Sequence, residues 1–197
     1  MRLSRALAAG VLLALAFPQS AAAEWHFTPM LGTTFFIKTS VFDPDAATDQ
    51  IHRNIGGSVA LLGSGIFGAE GLIVWTPGLF TGDKGLVKNS RSISVMGNVL
   101  VTTPRRWTEY SLRPFVSGGF GVIKVSKTET FGVFPFNSNL PAFNIGGGAI
   151  GFLSKRTGIR FDLRYYSNLA RSDEGTGTIG RVHIRYMTAS VGVVLRR

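Results

Sequence analysis

The chain has no cysteine among its 197 residues, so it has neither a disulfide framework nor a thiolate metal site. Acidic residues are scarce: 11 Asp and Glu stand against 21 Lys and Arg, giving a formal net charge of +10. Histidine occurs three times, as His26, His52 and His183, and none stands in an evident Ser-His or Asp-His constellation. Beyond residue 23 no apolar run is long enough for a membrane helix. The 25 glycines further disfavour helical structure. A chain without disulfides or helices needs a large core or a closed hydrogen-bonded sheet.

The N-terminus reads as an export signal. Arg2 and Arg5 precede the apolar run Ala6 to Phe17, and Pro18 and Ala21 to Ala23 supply a small-residue cleavage pattern. We expect residues 1–23 to be a cleaved signal peptide and residues 24–197 to form one β-domain. Losing Arg2 and Arg5 leaves 19 Lys and Arg against the same 11 acids. For an exported chain this surplus favours lipid phosphates and anionic glycolipid over nucleic acid.

Eight segments alternate apolar and polar residues with the two-residue period of a strand. They are Glu24 to Thr39, Arg53 to Leu62, Ile66 to Thr76, Arg91 to Thr103, Ser111 to Val125, Phe143 to Leu153, Thr157 to Leu169 and Arg181 to Leu195. In the first, Trp25, Phe27, Leu31, Phe35 and Ile37 share an apolar face. In the fourth, Ile93, Val95, Val99 and Val101 oppose Ser92, Ser94, Asn98 and Thr102. In the seventh, Ile159, Phe161, Leu163 and Tyr165 oppose Arg160, Asp162 and Arg164. In the eighth, Val182, Ile184 and Tyr186 oppose Arg181, His183 and Arg185, and a phase slip near Thr188 to Ser190 implies a bulge. Pro29 interrupts the first strand and needs a bulge or a break in its ladder.

The connections alternate long and short, beginning and ending long, which places every long loop at one end of an up-and-down sheet. That asymmetry, with apolar faces turned outward, is expected of a barrel that crosses a membrane on strands. Trp75 and Tyr165 fall near the loop end and Trp25 near the turn end, where interfacial aromatics belong.

On the signal segment, the eight alternating strands, the loop asymmetry and glycine-rich stretches such as RPFVSGGFGVIKV (Arg113 to Val125), the chain resembles the eight-stranded outer-membrane β-barrel proteins. That group includes the membrane domain of OmpA and the OmpX and OmpW types. The resemblance implies an all-β, eight-stranded antiparallel transmembrane barrel in a Gram-negative-type outer membrane. Members commonly end in an aromatic residue, whereas this chain ends VLRR.

Two stretches, GSGIFG (Gly63 to Gly68) and GGGAIG (Gly146 to Gly151), match a dinucleotide-binding spacing. Each is flanked by strand-like sequence with no helix to receive a phosphate, so no cofactor is expected. The sharper expectation concerns the lumen. Glu70, Arg160, Asp162, Arg164, Arg181 and Arg185 fall on the inward face, and eight strands leave an interior just wide enough for side chains. We expect a packed ion-pair network with an arginine excess and no open channel. Phe131, Val133, Phe134 and Phe136, in the connection Ser126 to Ala142, are candidates for a loop contact surface or for strand extensions. His52, placed in the first long loop, and the acids Asp43, Asp45 and Asp49 lack catalytic or chelating spacing. The expected role is structural or surface-interacting and non-enzymatic. Its partners are outer-membrane lipids, including anionic glycolipid, and an extracellular partner at the loops. The alternatives are a small pore for hydrophobic or anionic solutes and a lipid-modifying barrel enzyme.

Overall fold

The structure, a computed structural model, describes residues 24–39, 51–63, 65–78, 89–104, 112–128, 136–169 and 184–197; the signal segment 1–23 lies outside them. Eight strands follow one another: β1 (Glu24–Thr39), β2 (His52–Leu62), β3 (Phe67–Pro77), β4 (Asn89–Thr102), β5 (Leu112–Thr128), β6 (Phe136–Phe152), β7 (Thr157–Asn168) and β8 (Ile184–Arg196). All neighbours are antiparallel, and the sheet closes in chain order. Closure is made by β1 and β8, from His26↔Arg196 to Thr39↔Ile184. It leaves no open edge where all eight strands run side by side, so the ladder can be satisfied around the whole ring.

The period of two sorts side chains cleanly. Large apolar residues such as Leu31, Val99, Phe120, Ile145 and Phe161 stand on the outer wall, each more than half exposed. Among the described strand residues on that wall, the charged ones are Arg53, Arg91, Lys124 and Arg185, all at the loop end. Trp25 and Trp75 also face outward, toward opposite ends of the barrel.

Inside, two apolar clusters occupy the lumen, with buried polar side chains such as Thr34, Asn54 and Ser92 among them. The loop-end layer includes Met30, Ile37, Met96, Ile123, Tyr166 and Tyr186. Its two tyrosine rings stack at 4.8 Å, and the Tyr186 and Ser94 hydroxyls hydrogen-bond at 2.6 Å. The turn-end layer is built from Ala60, Leu62, Leu100, Phe115, Ile150 and Val194.

Local departures from regular pairing account for three misread details. Phe36 has a φ of 50°, and the β1–β8 register shifts by one between Phe35 and Lys38. This bulge turns Ile37 into the lumen instead of onto the outer face expected for it. The irregularity therefore sits in β1, not near Thr188 in β8, whose register against β7 is unbroken. At Pro29, which has no N–H to donate, the β1–β8 ladder skips Thr28 and Pro29 and resumes at Met30↔Gly192 in the same register.

The sixth strand begins at Phe136, not Phe143, because β5 and β6 run on together at 17 residues each. Their pairing reaches Lys127↔Phe136, whereas β6 and β7 stop at Ala142↔Asn168. A membrane strand needs only about 9–11 residues, so this hairpin rises above its neighbour on the loop side. The connection 129–135 is consequently shorter than the turn-end connection 103–111, and the strict long-short alternation fails there.

The GGGAIG stretch lies wholly within β6. A Cβ at Gly146 would run into the Leu163 carbonyl and the Arg164 side chain; at Gly148 it would meet the Phe161 carbonyl and the Phe115 ring. These glycines leave room for the bulky residues of the adjacent strands. Gly148→Val should therefore lower the yield of closed barrel on refolding, read as the fraction whose gel mobility changes on boiling. Gly71→Ala, with nothing within 4 Å of its Cβ position, should leave that fraction unchanged.

Candidate functional site

Between the two apolar layers lies a group of four charges. Arg160, Asp162 and Arg164 alternate along β7, so the period of two puts all three on its lumen face, successive ones about 7 Å apart along the strand. Both arginines fold toward the aspartate between them. Arg160 donates from Nε and Nη2 to Asp162 Oδ2 at 3.1 and 2.7 Å. Arg164 donates from Nε to Oδ1 at 2.6 Å and from Nη2 to Oδ2 at 2.9 Å. Glu70 reaches in from β3 on the opposite wall, 2.7 Å from each guanidinium.

The surrounding strands complete the cluster. Asn98 donates to Glu70 at 3.0 Å, and Asn144 donates to Asn98 at 2.8 Å. Arg160 also donates to the Ser58 hydroxyl at 3.2 Å, and its guanidinium lies 4.4 Å from the Phe115 ring centroid. The network thus joins β2, β3, β4, β6 and β7 through their side chains. Both arginines are 1% exposed.

Two cations meet two anions here, so the cluster is neutral. Of the two further arginines expected in it, Arg181 lies outside the described residues. Glu70, Arg160, Asp162 and Arg164 come together as their face assignment predicts. Arg185 does not join them: it is exposed on the outer wall, while its neighbours Ile184 and Tyr186 are 2% exposed inside. Ile184 and Tyr186 join the apolar cluster of the upper lumen, so the rule that polar residues point inward reverses at the top of β8. Arg181 and His183 lie outside the described residues, as do Phe131, Val133 and Phe134. Phe136 opens β6, and its side chain is not described. His52 starts β2, not a loop.

Sequence reading missed Ser58, Asn144 and Phe115, whose roles depend on which strands face each other across the lumen. It placed Asn98 on the right face but did not link it to Glu70. Arg113 was also missed. It is 2% exposed near the turn end, where it donates to the Thr103, Gly63 and Gly65 carbonyls and ties two turn-end connections together.

No protein-family model and no curated protein matches the chain. Its structure is nevertheless similar to several solved barrels. Neisserial surface protein A superposes with a TM-score of 0.64 at 10% identity, over 90% of this chain and 99% of that one. Ail of Yersinia pestis, solved in complex with the heparin analogue sucrose octasulfate, gives 0.55 at 14% identity, over 89% and 99%. OprG of Pseudomonas aeruginosa gives 0.53 at 12% identity, over 90% and 97%. The chain has the fold of the eight-stranded outer-membrane β-barrel proteins.

The charge cluster has a stability consequence. Removing one partner of a buried ion pair leaves an uncompensated charge and typically costs about 3–5 kcal/mol. Glu70→Gln should destabilise the barrel by about that much in urea unfolding from lipid vesicles. Adding Arg164→Met to it should recover a large part, because the remaining Arg160 and Asp162 balance. Equal losses that simply add would show that the two side chains are not coupled.

Proposed function

We propose that the protein is an integral outer-membrane barrel that acts as a closed scaffold, presenting its long loops to the outside and conducting no solute through its lumen. The observation carrying this reading is the filled interior: a neutral, hydrogen-bonded charge cluster with apolar clusters above and below it. A conducting route needs an open polar path, and here buried side chains, apolar ones interleaved with hydrogen-bonded ones such as Thr34 and Asn54, occupy the interior on both sides of the cluster. The outer wall supports membrane residence, since its middle carries large apolar side chains.

The loop end supplies the surface for partners. Arg53, Arg91, Lys124 and Arg185 stand outward there, on four different strands, above the apolar band. Such a set fits the phosphates of anionic glycolipid in the outer leaflet. An extracellular macromolecular partner would meet the loops themselves. The role proposed is non-enzymatic.

Two measurements on the full chain test this. It should stay in carbonate-washed membranes, need detergent for release, and migrate differently on gels before and after boiling. In planar bilayers the purified protein should be silent, whereas an Arg160→Ala, Asp162→Ala, Arg164→Ala variant should give discrete conductance steps. Release without detergent removes the membrane reading, and wild-type steps remove the closed-lumen reading.

A further inference from the structure

The turn end of the barrel carries a cationic site distinct from the neutral lumen cluster. Antiparallel pairing of β7 with β8 sets Thr157 beside Leu195, and this brings the turn 153–156 against the last residues of the chain. Arg196 N–H donates to the Arg156 carbonyl at 2.7 Å. Across the seam, Arg197 and Trp25 exchange backbone hydrogen bonds at 2.9 and 3.1 Å. Residues from three distant parts of the sequence therefore line one cleft of about 560 Å³: Glu24, Lys155, Arg156, Arg196 and Arg197.

The cleft is built, not incidental. Ser154 accepts hydrogen bonds at its hydroxyl from the Arg156 and Thr157 amides at 3.2 and 3.1 Å, and its hydroxyl pairs with that of Thr157 at 2.7 Å. This turn holds Lys155 and Arg156 in place. On the other side, the Arg196 guanidinium lies 3.5 Å from Glu24 and 5.2 Å from the centroid of the Phe152 ring. Glu24 thus offsets one cation. Lys155, Arg156 and Arg197 are exposed, and no described carboxylate side chain lies within ion-pair distance of them. The lining stays positive even with an α-carboxylate on Arg197 counted in.

The surroundings of the cleft are apolar and face outward. Leu195, Phe27 and Trp25 stand on the outer wall beside it, with the Trp25 and Phe27 rings stacked at 6.5 Å, and Leu153 projects from the turn at 73% exposure. A free phosphate would use only the cations. A phospholipid would use both features, setting its phosphate among the cations and its acyl chains along the adjacent apolar wall.

We infer that this cleft holds the phosphate of an anionic phospholipid from the leaflet at the turn end of the barrel. The assignment rests on the membrane reading above, in which the turn end faces away from the glycolipid surface. The lipid fixes the depth of the β7–β8 turn and of the β1–β8 seam at the membrane boundary.

Native mass spectrometry of the full chain, purified in detergent and shown to be heat-modifiable, tests the site. Phosphatidylglycerol and phosphatidylcholine of equal chain length serve as probes, with inorganic phosphate as competitor. The wild type should retain phosphatidylglycerol over phosphatidylcholine by roughly tenfold or more, since each interfacial cation adds to anionic-lipid affinity. The Lys155→Gln, Arg156→Gln variant should lose most of that preference while remaining heat-modifiable. Arg53→Gln, Arg91→Gln, at the other end, should lose only the smaller share that the loop-end cations add. A turn variant that keeps the preference, a wild type without one, or displacement of the lipid by millimolar phosphate would each overturn the assignment. A barrel that is heat-modifiable but shows no lipid preference loses only this site and leaves the membrane reading standing.

Discussion

A sheet can lie in hydrocarbon only when its last strand pairs with its first, because an open edge would leave a row of amides and carbonyls with nothing to bond. In this chain that requirement is met by the β1–β8 seam, and much else follows from it. Closing eight strands fixes a narrow cylinder, so the lumen has space for side chains and little more. Every inward position must then be compatible with dense packing, and every outward position with lipid. The glycines of β6 are one result, since Arg164 and Phe115 occupy the volume their side chains would have taken.

The same narrowness governs the charges. Isolated ions in such a space would be strongly unfavourable, so the four that are present must neutralise one another at hydrogen-bond distance. Glu70 and Asp162 do so by sharing Arg160 and Arg164, and Asn98, Asn144 and Ser58 occupy further polar valences. Because such a cluster adds little net stability over a well-packed apolar core, its effect is better seen as specificity. It couples β3 to β7 across the lumen in one register, since a slip of one residue would turn each of these side chains into lipid.

Much of the fold was legible in the sequence because a two-residue period survives wherever lumen and lipid differ in polarity. The β7 pattern from Ile159 to Tyr165 is the clearest case, and it correctly assigned Arg160, Asp162 and Arg164. Where the contrast vanishes, the reading failed. Ile184 and Tyr186 look like lipid-facing residues, yet they fill an apolar part of the lumen, which sent Arg185 to the wrong face. Ile37 was misplaced by a backbone bulge at Phe36 that leaves no mark in residue type. The polar ends of β5 and β6 resemble a loop because Ser126 to Thr128 and Asn137 to Asn139 carry no apolar alternation. Long-range partners such as Phe115 and the cations of the turn-end cleft depend on register, which one sequence does not disclose.

The central claim is the assignment of faces: apolar side chains to lipid, and charges to a sealed interior. The absence of cysteine makes this directly testable with single spin labels. Labels at Phe161, Ile145 and Val99 in protein reconstituted into vesicles should collide with dissolved oxygen far more than with a water-soluble nickel chelate, as measured by electron paramagnetic resonance power saturation. Collision with the nickel chelate at those three positions, at the level of a solvated loop, would contradict the account.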